Sequence, residues 1–240
     1  MNASYILAAL AVALLPFHAS AQNPASRPVL RSSTAEGGQV QLKKGDRIIF
    51  FGDSLTALAV KDPNVPEGKG YVPLVRAALK DAGVEVDAVA TGGHKVTDLL
   101  KRVDRDVLAK KPTYVVIQIG VNDASAGVTP EQFRAQLEEL IGKLQRSGAS
   151  VIQCTCTCRI EGYNPENAMD KKLDALAEVA RLIAREKQLP LVDLRQAFIE
   201  YWKTHNPENK PRGFLTYDGN HWTETGHKYV AEQMMKKFKF

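Results

Sequence analysis

From Gly45 onward, short apolar runs alternate with segments of helical periodicity. "DRIIFFG", "VEVDAVA", "TYVVIQIG", "ASVIQCTCT" and "LPLVDL" read as strands. "TYVVIQIG" is almost continuously apolar, as a strand buried on both faces must be. Between these runs, Val72, Val75, Leu79 and Ala82 share a helical face ahead of Gly83. Leu99, Leu100, Val103 and Val107 share another ahead of Pro112. Thr129-Pro130-Glu131-Gln132 is a helix start, and that helix should run to Gly148. Helices are also expected over residues 165–188 and 223–238. Such alternation predicts an α/β fold, a parallel sheet sandwiched between helices. In such folds, sites gather beyond the carboxyl ends of the strands.

The chain has 240 residues, enough for one good-sized core and short for two domains. The residues before Gly45 do not join the alternation. The segment "SYILAALAVALLPFHASA" has an apolar core from Tyr5 to Leu15, then Pro16, then the small-x-small pattern Ala19-Ser20-Ala21. That is the layout of an export signal over residues 1–21, although no Lys or Arg precedes the apolar run. The run is shorter than the roughly 20 apolar residues a bilayer span needs, so stable membrane insertion is not expected. Cleavage near Ala21 would release a periplasmic or secreted protein. Residues 22–44 are rich in Pro, Ser, Gly and Gln and read as a flexible leader, with the folded domain over 45–240.

Net charge is +5, but Lys and Arg are spread along the chain, and no nucleic-acid-binding motif accompanies them. Solvated helix faces explain them, and no nucleic-acid partner is expected. Cys154, Cys156 and Cys158 alternate. If the strand continued through all three, they would share one face and pack as small apolar thiols under a helix. Their parallel side chains suit a disulfide poorly, and a metal cluster would want more ligands.

Several familiar motifs are absent: G-x-S-x-G, the P-loop, G-x-G-x-x-G and H-E-x-x-H. The candidates are therefore sought in the residues just past each apolar strand. Gly52-Asp53-Ser54 comes after the first, Thr91-Gly92-Gly93 after the second and Gly120-Val121-Asn122-Asp123 after the third. Asp218 and His221 stand three apart before the last helix. A parallel sheet would bring all four segments to one edge, collecting a hydroxyl, backbone amides, a carboxamide, an imidazole and a carboxylate. Acyl transfer needs this set. Serine requires a base to take its proton, and histidine suits that role. A carboxylate fixes the imidazole tautomer, and pre-aimed donors hold the oxyanion. Each piece also has a plainer reading. Ser54 after Gly-Asp can be a helix N-cap, Gly92-Gly93 a tight turn, and Asn122-Asp123 an Asx turn.

Gly52-Asp53-Ser54-Leu55, Gly93, Gly120-Val121-Asn122-Asp123 and Asp218-Gly219-Asn220-His221 together resemble the blocks of the SGNH (GDSL-type) hydrolase family. The blocks occur in the family's order, and the resemblance spans roughly residues 46–238. It implies a flavodoxin-like three-layer α/β/α sandwich and ester hydrolysis without metal or cofactor. It also implies Ser54 as nucleophile, His221 as base and Asp218 as its orienter. The oxyanion hole would be the Ser54 and Gly93 amides with the Asn122 side chain. The family's N-x-G-x-x-G block is degraded here to Ala88-Val89-Ala90-Thr91-Gly92-Gly93. Gly93 rather than Gly92 therefore rests on spacing to "TDLL". His227 reads as structural and His205 as a loop residue. An exported enzyme with no evident lid suits small acetyl esters of carbohydrates. Loops at 60–69 and 159–166 are expected to shape the pocket, and their Lys61, Lys69 and Arg159 suit polar or acidic substrates. A lysophospholipase, an acyltransferase and a non-catalytic glycan-binding module are the rival readings of the same scaffold.

Overall fold

The computed structural model describes the backbone of residues 34–35 and all of residues 38–240. The expected export signal and most of the expected leader lie outside the described residues. In chain order the elements are β1 (Thr34–Ala35), β2 (Gln39–Gln41), β3 (Arg47–Gly52), α1 (Ser54–Leu58), α2 (Tyr71–Leu79), β4 (Glu85–Ala90), α3 (Val96–Asp106), β5 (Tyr114–Gln118), α4 (Val121–Ser125) and α5 (Pro130–Arg146). They continue with β6 (Ser150–Cys154), α6 (Ala168–Glu186), β7 (Leu191–Val192), α7 (Leu194–His205), α8 (Glu224–Met235) and β8 (Phe238–Lys239).

The principal sheet is parallel throughout, in the order β4-β3-β5-β6-β7. β3 pairs on both sides, and Ile48, Ile49, Phe50 and Phe51 are wholly buried, which explains its unbroken apolar run. α2 packs on α8 and α8 on α7, whereas α3 packs on α5 and α5 on α6. Helices thus cover the sheet as an α/β/α sandwich. The chain steps from β3 to β4 on one side and then to β5 on the other. The crevice at that reversal is where open α/β sheets bind ligands.

Register decides what gathers there. Gly52 lies level with Ala90 of β4 and with Gln118 of β5. Ser54, Gly92 and Gly120 each come two residues later in sequence. Three strand exits therefore deliver their loops to one height, and the apolar strands that pair in this register are what place them.

Several expectations are corrected. Val40 and Leu42, placed in the leader, are buried, and β2 runs parallel to β8 with Val40 opposite Phe238. Packing thus reaches back before Gly45, and the last helix ends at Met235 so that Phe238 can enter this small sheet. α7 had no expectation, although Leu194, Phe198, Ile199 and Trp202 form its buried face. His205 is the last residue of α7, not a loop residue, and stacks on Tyr201 with centroids 4.0 Å apart. β6 ends at Cys154, so the three cysteines do not share a strand face. Cys154 meets Met234, Cys156 the Leu173 carbonyl and Cys158 the Gly219 carbonyl. All three are free, buried thiols, and burial pushes the Cys156 thiol up to about 12.

Candidate active site

The helix that begins at Ser54 is capped by the preceding residue. Asp53, not Ser54, is the N-cap of α1, its Oδ1 accepting the Leu55 amide at 3.0 Å. Asp caps a helix as well as Ser does, and here it sits one residue earlier. Ser54 is thereby the first helical residue, its hydroxyl is free of capping, and it meets His221 Nε2 at 3.1 Å.

His221 lies in a tight turn between Thr216 and Trp222, which form an antiparallel bridge. Asp218 builds that turn. Its Oδ1 accepts the amides of Asn220 at 2.9 Å and His221 at 2.7 Å, and its Oδ2 meets His221 Nδ1 at 2.6 Å. Partial burial pushes the Asp218 carboxyl up, but these amides and the imidazole outweigh it and hold the group below the usual range. A carboxylate can only accept, so the ring proton belongs on Nδ1 and Nε2 presents its lone pair to Ser54. Gly219 sits at φ +97°, and a Cβ there would stand 2.9 Å from the Arg159 carbonyl oxygen. The turn is thus seated directly on the loop after β6.

The sequence assigns that loop to shaping a pocket, but its side chains hold the site together. Glu161 is buried, and its carboxylate accepts the Phe214 amide at 2.8 Å and the Thr216 amide, fixing the segment that leads into Asp218. Arg159 donates to Ser125 Oγ at 2.8 Å and to Asn122 Oδ1 at 3.3 Å, so its guanidinium is engaged with α4. The fully buried Arg195 anchors the base of the loop through Asp170 at 2.7 Å, Asp174 at 2.8 Å and the Thr157 carbonyl at 2.8 Å.

The remaining polar groups face Ser54 from β4 and β5. Thr91 to His94 form a turn closed by a 3.4 Å hydrogen bond, with Gly93 at φ +77° in its third position. That is the conformation a type II turn asks of glycine. A Cβ on Gly92 would lie 3.8 Å from the Ser54 Cβ, so the turn abuts the serine. Among the described residues, the amides of Ser54, Gly92 and Gly93 donate to no protein acceptor. Asn122 Nδ2 donates to the His94 carbonyl at 3.1 Å and to Asp53 Oδ2 at 3.2 Å. Asp123 turns inward and accepts the Val96 amide at 3.1 Å, joining α4 to the start of α3. Burial raises Asp123 to about 6 and Asp53 to about 7, and the charge of Asp123 adds to the second. No cluster of three or more His, Cys, Asp or Glu side chains suited to a metal ion occurs among the described residues.

Behind the serine, Thr56, Tyr71 and Gln118 form a buried polar chain, with Thr56 Oγ1 2.9 Å from the Tyr71 hydroxyl. His227, 1% exposed, packs against Tyr71 and Trp222. Burial lowers its pKa to about 4, against the opposing charge of Asp62. The unfolded chain therefore takes up a proton near 6.5 that the native state refuses until about 4. Stability is lost as pH falls through that window, by about 1.4 kcal/mol per unit. His227→Phe should lack this component. The stability gap between variant and wild type, from urea unfolding at pH 7 and pH 4.5, should shift by roughly 2–3 kcal/mol in the variant's favour on acidification. A pH-independent gap would contradict a neutral His227.

The sequence pattern of the GDSL-like lipase/acylhydrolase family matches residues 50–229. The acetylxylan esterase of Geobacillus stearothermophilus is 28% identical over 220 residues, covering 84% of this chain and 97% of that protein. A crystal structure of an acetyl xylan esterase superposes with a TM-score of 0.73 at 33% identity, over 79% of this chain and 98% of the other. Solved structures of the Geobacillus enzyme include catalytic mutants that alter one serine, one aspartate and one histidine, the last two standing three residues apart. A Bacillus subtilis lipoprotein, YqeF, is 26% identical over 77% of this chain and 86% of its own length.

Proposed function

The chain belongs to the GDSL-like lipase/acylhydrolase family, and from that membership and its site we propose that it removes acetyl groups from carbohydrates. It is a carboxylic ester hydrolase. The observation that carries the reading is the continuous relay from Asp218 Oδ2 through both ring nitrogens of His221 to Ser54 Oγ, at 2.6 and 3.1 Å.

In the proposed reaction His221 Nε2 takes the Ser54 proton as Oγ attacks the acyl carbon. Asp218 stabilises the imidazolium and holds its orientation. The carbonyl electron pair moves onto oxygen, which receives hydrogen bonds from the unspent amides of Ser54 and Gly93 and from Asn122 Nδ2. Collapse breaks the ester bond, and the Nε2 proton goes to the departing sugar oxygen. Water, deprotonated by His221, then attacks the acyl-Ser54 ester and releases the acid. The Asp-x-x-His spacing of the Geobacillus catalytic mutants matches Asp218 and His221 and supports these roles.

Work outside the cell fits a carbohydrate ester. The export signal read in residues 1–21 and the lipoprotein relative support it. No helix among the described residues is long and apolar enough to cross a membrane. Acetate release from acetylated xylo-oligosaccharides tests the substrate. We expect kcat/KM for an acetyl ester to exceed that for the matching octanoyl ester by roughly 10²-fold, since each extra methylene must find room at the reacting centre. Equal or faster octanoyl hydrolysis would instead favour a lipase-type substrate.

A further inference from the structure

We propose that Asp53 is a positioning residue, aiming the Asn122 carboxamide while it caps the nucleophile's helix. The proposal rests on the reading of Asn122 as an oxyanion donor. One fully buried carboxylate spans the two elements, its Oδ1 on the Leu55 amide at 3.0 Å and its Oδ2 on Asn122 Nδ2 at 3.2 Å. Capping alone needs a single oxygen, which Ser, Thr or Asn would supply without burying a charge. Only the ionised carboxyl accepts on both sides, and with burial raising Asp53 to about 7 that form prevails above neutral pH.

The second oxygen matters because a carboxamide has two nearly isosteric faces. One presents N–H groups to the reacting carbonyl, and the other presents an oxygen that would repel the oxyanion. Three partners select the first face. Asp53 Oδ2 and the His94 carbonyl accept from Nδ2, and Arg159 donates to Oδ1. Of the two acceptors, Asp53 alone belongs to the segment that carries Ser54. When Ser54 attacks, one Nδ2 hydrogen stays on Asp53, and the other passes from the His94 carbonyl to the oxyanion. Asp53 thereby sets the distance between nucleophile and donor with one side chain.

Asp53→Asn separates the two roles. It keeps an oxygen for the Leu55 amide but turns an NH₂ group toward Asn122 Nδ2. With a small acetyl ester, kcat should fall about 10²-fold, as for loss of one oxyanion donor. KM should stay near the wild-type value and Tm within a few degrees of it. Asp53→Ser, which also caps but lacks the second oxygen, should lose kcat similarly, and it carries the test if Asp53→Asn does not fold. In an Asn122→Ala background, Asp53→Asn should add no further loss. Wild-type kcat in Asp53→Asn, or an equal loss with and without Asn122, would overturn the positioning role. Should Asn122→Ala itself leave kcat unchanged, the oxyanion assignment beneath it fails as well.

Discussion

Ser54→Ala should lower kcat for ester hydrolysis by roughly 10⁴- to 10⁶-fold and leave the fold intact. The activity loss stems from the relay, because without Oγ nothing at the end of Asp218–His221 can carry the acyl group. The residual activity would come from the Ser54 and Gly93 amides, which still polarise a bound ester. The intact fold stems from the cap. Asp53 rather than Ser54 satisfies the first turn of α1, and among the described residues Ser54 Oγ has only His221 as its hydrogen-bond partner. Thermal unfolding should therefore match the wild type. A variant that loses activity and stability together would show Ser54 to be structural.

The largest stability effect is expected at Arg195, which touches none of the proposed reacting groups. Its guanidinium is fully buried and makes two ion pairs and a carbonyl hydrogen bond, while its amide donates to Thr155 Oγ1 at 2.8 Å. Arg195→Ala would leave Asp170, only 3% exposed, as a buried carboxylate without its cation. Removing one partner of such a pair costs about 3–5 kcal/mol, a large fraction of the stability of an ordinary domain. Urea unfolding should show that loss as a lower midpoint. Activity at a permissive temperature should fall too, because residues 155–161 carry Arg159 and Glu161 to the site. A midpoint shift under about 1 kcal/mol, the size expected of an exposed pair, would mean that the network is not what holds the loop.

The strands are legible in the sequence because their apolar runs are long and their neighbours periodic. The four segments of the candidate site are legible because each comes just after a strand or just before the last helix. The cap is not, because Asp and Ser stand side by side and both can cap; only geometry tells which oxygen faces the Leu55 amide. Nothing local marks Arg159, Glu161 and Arg195 as the frame of the site, since their partners lie far away in sequence. Glu161 and Thr216 are 55 residues apart, and no local pattern links them. The β2–β8 pair is hidden for the same reason, as Val40 and Phe238 meet from opposite ends of the domain. Cys156 and Cys158 show the limit of period-two reasoning, which holds only while the chain remains a strand.

In the proposed mechanism His221 activates Ser54 as the nucleophile. Reaction with a small fluorophosphonate, followed by peptide mass spectrometry, tests it most directly. A single phosphonyl adduct on Ser54, forming in step with loss of activity and abolished in His221→Ala, is the result expected. Inactivation with the adduct on another residue, or labelling of Ser54 that does not depend on His221, would contradict it.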